Sequence, residues 1–173
     1  MTVPEPVPAE SAVRLPAHSV DCYGCGPDNP AGLRMQVWRE GDEVYSDVVF
    51  QPHHVGAPGI AHGGAVAAAC DDLFGFMLYV VREPGVTRSL TMEYRVPTAL
   101  GASHRITARL NRRDGRKLYL AATGVRADGQ LCFTATAVFI VVERAHFERY
   151  GVLAEHPGLD ALTATPGPPP PGG

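Results

Sequence analysis

The chain has 173 residues, 45% of them apolar, and 15 basic against 18 acidic side chains for a formal net charge of −3. That suffices for one core and is too little for two sizeable ones. It also leaves no basic footprint for nucleic acid: the arginines are scattered, apart from Arg112, Arg113, Arg116 and Lys117, which read as a turn between strands.

In chain order, residues 1–20 are Pro-rich and are expected to be disordered, as is the Pro/Gly-rich tail 151–173, leaving one domain over 21–150. The opening MTVPEPVPAESAVRLPAH has no basic stretch leading into an apolar run, so a cytoplasmic, reducing setting is expected, with the cysteines as thiols. Cys22 and Cys25 form a lone Cys-x-x-Cys. A structural zinc needs two further ligands at suitable spacing; Cys70 and Cys132 fall within apolar elements, and Asp21 and His18 give no recognised pattern. The expectation is therefore no metal and no cofactor, with this leader packing over the first strand or near a pocket mouth.

Residues 33–39 alternate in polarity, Gly41-Asp42 makes a turn, and 44–50 read as the returning strand. Residues 60–81 form a long apolar helix. Extended runs follow over 87–96, 104–112, 117–126 and 131–142, with Asp114-Gly115 and Asp128-Gly129 as hairpin turns. Two strands, a long helix and an antiparallel meander predict an α+β fold, in which a curved antiparallel sheet of five to six strands wraps one central helix.

The helical segment, IAHGGAVAAACDDLFGFMLYVV, carries the chemistry. It is just long enough to cross a bilayer, but Asp71 and Asp72 would each cost about 2.5–3.5 kcal/mol near the midplane, with no second span to shelter them. The reading is the central helix of a soluble protein, in which two carboxylates still need a reason. Nine residues separate His62 from Asp71, placing them on opposite helix faces and roughly 13 Å apart along the axis. If both serve one site, a second copy of the helix must bring its Asp to the first copy's His-Gly-Gly, as an antiparallel twofold dimer would. Gly63 and Gly64 let a ligand approach backbone N–H donors at the positive end of the helix, an oxyanion site, and a carboxylate arriving there could act on water or directly on a carbonyl carbon. That chemistry is acyl transfer to water. The plainer alternative is that the glycines permit close packing and Asp71 caps a neighbouring strand.

The run PGIAHGGAVAAACD, followed after sixteen residues by Thr87 in TRSLTMEYRVPTALG, resembles the hotdog-fold acyl-CoA thioesterases of the 4-hydroxybenzoyl-CoA thioesterase superfamily, in particular the phenylacetate-pathway (PaaI) type. The likeness covers about residues 22–142 and includes the leader CYGCGPDNPAGL. It implies a hotdog fold and hydrolysis of an acyl-CoA or acyl-carrier-protein thioester by a homodimer or dimer of dimers, with no nucleic acid or membrane as partner. It implies Asp71 as general base or nucleophile, Gly63 polarising the thioester carbonyl through its N–H, His62 shaping that pocket, and Thr87 positioning water. Some members carry Asn six residues before the histidine; here that position is Gly56, and His54 stands nearby as a substitute. Gly64, His54, Phe74 and Arg88 are the substrate-binding candidates, with Met77, Leu78 and Tyr94 as further lining. Arg88, Arg95, Arg112, Arg113, Arg116 and Lys117 are cations available for coenzyme A phosphates. Asp72 points about 100° away from Asp71 and is expected to be structural or pocket-lining. A non-catalytic acyl-CoA binding module is the alternative; a dehydratase or hydratase would need an Asp and His pair in one site and a different loop motif.

Overall fold

The computed structural model describes residues 11–150 together with Gly158, Leu159 and Leu162. Nine strands and one long helix organise them: β1 (Val13–Arg14), β2 (Trp38–Glu40), β3 (Glu43–Val49), β4 (Val55–Ala57), β5 (Ile60–Ala61), α1 (Gly63–Val81), β6 (Gly85–Tyr94), β7 (Ser103–Asp114), β8 (Lys117–Arg126) and β9 (Leu131–Val141). Seven of the strands form one antiparallel sheet in the order β1-β2-β3-β7-β8-β9-β6, and β4 pairs with β5 beside the entrance to α1. Alternation puts Ile106 and Ala108 of β7, Leu118 and Leu120 of β8, and Ala135, Ala137 and Phe139 of β9 on the face that covers α1. The hairpins close where expected, with left-handed backbone at Gly41 (φ 58°), Gly115 (φ 55°) and Gly129 (φ 86°).

The helix begins at a definite cap. His62 is extended (φ −61°, ψ 133°) and its Nδ1 accepts the Gly64 N–H at 2.9 Å. It ends where Arg82 turns left-handed (φ 61°) and donates its N–H to the Leu78 carbonyl, with Pro84 two residues on. By length and composition α1 could cross a membrane, but Val66, Ala69, Leu73, Phe74, Phe76 and Met77 are all buried against the protein's own sheet and loops.

Three expectations are corrected. The sheet has seven strands rather than five to six, because Val13–Arg14, inside the segment expected to be disordered, pairs with Trp38–Glu40, and Leu15 continues the contact by donating to the Val37 carbonyl. The expected strand 33–39 is regular only at its end; Leu33, Met35 and Val37 alternate inward, but Arg34 (φ 51°) breaks the ladder. In the tail expected to be flexible, Gly158, Leu159 and Leu162 are helical and packed, with Leu162 in the core; the rest of 151–173, like 1–10, lies outside the described residues.

Candidate active site

The two carboxylates of α1 face different surroundings. Asp71 looks toward β6, where the Thr87 hydroxyl donates to its Oδ1 at 2.9 Å. β6 is an edge strand, and a bulge between Thr87 and Ser89 inserts Arg88, which is exposed and forms no ion pair among the described residues. Asp71, Thr87, Asp72 and His18 line a cavity of about 480 Å³ whose other walls are mostly apolar, among them Leu78, Val86, Phe139, Phe147, Leu159 and Leu162. Burial raises the Asp71 pKa above the usual carboxylate value, and the Thr87 hydrogen bond offsets part of that rise.

The His-Gly-Gly end of α1 opens a separate cleft of about 370 Å³, lined by Gly63, Val66, Tyr94, Arg95 and Pro97 among others. Here one expectation fails: the Gly64 N–H is not an unpaired donor, since His62 Nδ1 takes it. That bond makes Nδ1 an acceptor and assigns the ring proton of neutral His62 to the exposed Nε2. Gly63, as the first helical residue, has no carbonyl a turn back to bind its own N–H. Its carbonyl accepts the Tyr94 hydroxyl at 2.7 Å, and a Cβ at Gly63 would meet Tyr94 Oη at 3.2 Å. The Tyr94 hydroxyl, foreseen only as lining, thus fastens β6 to the helix entrance. Eight residues of helix, about 12 Å along the axis, separate Gly63 from Asp71 within the chain.

The remaining candidates divide. His54 is buried, its Nδ1 accepting the Gln51 N–H at 3.0 Å and its carbonyl accepting the His62 N–H at 2.7 Å, so it touches the entrance through its backbone. Desolvation lowers its pKa. Phe74 and Met77 are fully buried, Phe74 edge-on to Phe139, whereas Leu78 reaches the Asp71 cavity. Of the other cations, Arg95 pairs with Glu93 (2.6 Å), Arg113 with Glu83, and Arg112 lies over the Tyr119 ring at 3.9 Å.

Asp72, on the next face, meets the leader. His18 Nδ1 lies 3.1 Å and Cys22 Sγ 3.2 Å from Asp72 Oδ1, and Cys25 Sγ lies 3.4 Å from His18 Nδ1. The expectation that Cys22 and Cys25 lack two further donors is therefore corrected. His18 sits only four residues upstream, but Asp72 is fifty residues from Cys22 in sequence, and spacing alone does not link them. Burial alone would lower the His18 pKa; hydrogen bonds to Asp72 and Cys22 raise it to about 9.

Residues 58–133 match the family model described as Thioesterase superfamily. A solved structure described as a thioesterase superfamily protein superposes with a TM-score of 0.67 at 28% identity, covering 71% of this chain and 61% of that one. This chain has the hotdog fold and is similar to proteins of the thioesterase superfamily. It is also similar to acyl-coenzyme A thioesterase THEM4 of Bos taurus, 27% identical over 121 residues that make up 68% of this chain and 50% of that protein. The chain spans about half the length of the curated relatives it matches. Among solved hotdog structures, a phenylacetic acid degradation-related protein from Ralstonia eutropha JMP134 superposes with a TM-score of 0.57 at 26% identity, covering 63% of this chain and 86% of that one.

Proposed function

We propose that this hotdog protein hydrolyses an acyl-CoA or acyl-carrier-protein thioester at a site shared between two chains. The observation that carries the reading is the Thr87–Asp71 hydrogen bond at the wall of a mostly apolar cavity. Thr87 donates to the carboxylate, leaving its oxygen lone pairs to hold a water, and the apolar walls suit an acyl group. Asp71 takes a proton from that water as its oxygen attacks the thioester carbon. The oxyanion forms against the Gly63 N–H and the positive end of α1. Collapse breaks the C–S bond, and the thiolate leaves with the proton held by Asp71.

Because Gly63 and Asp71 lie about 12 Å apart within one chain, the oxyanion donor is assigned to a second copy whose α1 runs antiparallel to the first. The edge strand β6, which carries both Thr87 and Tyr94, suits that pairing. The names of the curated relatives, acyl-coenzyme A thioesterases, support the substrate class.

Complementation tests the reading. Asp71→Asn removes the base. Gly63→Pro removes the N–H while keeping the helix, since proline is favoured at the first helical position and His62 already has the extended backbone that proline requires before it. Each variant alone should release almost no thiol from a panel of short, medium, long and aromatic acyl-CoAs. Mixed and reassociated, they should recover about a quarter of wild-type activity, because half of the dimers are hybrid and each hybrid holds one intact site. No recovery would confine the site to one chain, and full activity of Asp71→Asn would remove the catalytic assignment altogether.

A further inference from the structure

We propose that His18, Cys22, Cys25 and Asp72 form a structural zinc site that fastens the leader loop to the middle of α1. The four candidate ligand atoms lie within 4.8 Å of one another. A tetrahedral zinc with two sulfur, one nitrogen and one oxygen ligand has ligand-to-ligand edges of about 3.3–3.8 Å. Three of the six edges are already close to that: 3.1 Å from His18 Nδ1 to Asp72 Oδ1, 3.2 Å from Cys22 Sγ to Asp72 Oδ1, and 3.4 Å from Cys25 Sγ to His18 Nδ1. The donor set selects the metal. Two thiolates and an imidazole favour zinc, whereas magnesium and calcium require oxygen ligands.

A second observation points to a missing cation. The Asp72 side chain is 8% exposed, and its Oδ2 is buried without a hydrogen-bond partner. A buried carboxylate whose Oδ2 has no partner calls for charge beyond what one imidazole offers. Zinc supplies it. On binding, Cys22, Cys25 and His18 Nδ1 give up their protons to solvent, and two thiolates, one carboxylate, a neutral imidazole and a divalent ion leave a net charge of −1.

The surroundings are built to hold this arrangement. The His18 backbone N–H donates to Cys25 Sγ at 3.3 Å, the outer-shell hydrogen bond that a ligating thiolate needs. The His18 ring lies 4.1 Å from Phe76 and 5.9 Å from Tyr79, centroid to centroid, which fixes its plane. Gly24, between the two cysteines, lies so close to Asp72 that a Cβ there would fall 2.1 Å from Asp72 Cγ; no other residue lets the loop reach the carboxylate. Four protein ligands close the coordination sphere, so the ion is structural and offers no open position for water. It holds a segment with no regular secondary structure against the residue adjoining Asp71.

The test uses the full, untagged chain purified under reducing conditions. Elemental analysis should find about one zinc per chain, and a chromophoric chelator should withdraw it only slowly. Refilling the stripped protein with Co²⁺ should give the thiolate-to-cobalt charge-transfer band and strong visible bands of a tetrahedral site. Both signals should be lost in Cys25→Ser and reduced in Asp72→Asn, while the wild-type cobalt spectrum decides the matter even if a variant fails to fold. Reduced wild-type protein that takes up neither Zn²⁺ nor Co²⁺, or a cobalt spectrum without the thiolate band, overturns the proposal. So does a Cys22–Cys25 disulfide whose reduction restores no metal uptake.

Discussion

Asp71 and Asp72 are adjacent in sequence, share one helix, are chemically identical and line one cavity, yet their side chains take different partners. Asp71 faces an apolar cavity with one hydroxyl for company and keeps an oxygen available to a ligand. Asp72 faces an imidazole and two thiols contributed by the leader. A rotation of about 100° separates them. A buried charge is decided by what it faces, so a run of identical residues carries little information about role.

The comparison can be broken most severely at Asp71. Asp71→Asn preserves shape and the Thr87 contact but removes the base, and thioester hydrolysis should fall by about 10²–10⁴-fold with zinc content unchanged. Residual activity near wild type would mean the two carboxylates do not divide the labour as described. The complementary substitution, Asp72→Asn, should weaken metal binding while leaving much of the turnover. Stripping zinc from the wild-type protein should lower Tm by roughly 5–10 °C, because a ligand at a hundred times its Kd contributes about 2.7 kcal/mol and each kcal/mol moves Tm by about 2–4 °C in a chain of this size. Equal loss of activity in both variants would erase the distinction between the faces.

Thr87→Val sharpens the Asp71 side. Losing a hydrogen bond to a charged group costs about 1.5–3 kcal/mol, or about 10–100-fold, and the loss should appear in kcat rather than in metal content. The smallest effect concerns the scaffold beneath both faces. His104 is fully buried between β3 and β8, its Nδ1 3.0 Å from the Ala102 carbonyl and its Nε2 unpartnered. Burial lowers its pKa; the Ala102 hydrogen bond and Asp128 oppose that, and Arg126 adds to it. The unfolded chain, with an ordinary pKa of about 6.5, therefore binds this proton first. The contribution is complete above about pH 6.5 and declines at lower pH, by at most about 1.4 kcal/mol per pH unit. Urea titrations across pH 5–7.5 should show that slope, and His104→Gln should flatten it.

Several features were legible in the chain because they are local. The apolar run with a histidine and two glycines at its entrance marks α1, since a helix wrapped on most sides needs apolar residues nearly all round. Asp-Gly turns mark the hairpins because glycine supplies positive φ. The sixteen-residue interval from Asp71 to Thr87 was read through resemblance, and the structure brings the two side chains into hydrogen-bond contact. The short strand Val13–Arg14 is not legible in the chain, since two residues in a Pro-rich context carry no period. Nor is the Gly64 N–H pairing, which depends on the rotamer of His62.

The sequence by itself determined the helix, the meander and the presence of two carboxylates that need a reason, because each rests on periodicity, turn chemistry or a charge in an apolar run. Only the tertiary structure decided which of the two carboxylates meets Thr87 and which meets the cysteines. That choice depends on how the leader crosses α1 and where β6 comes to rest, and contacts between segments some fifty residues apart leave no spacing to read.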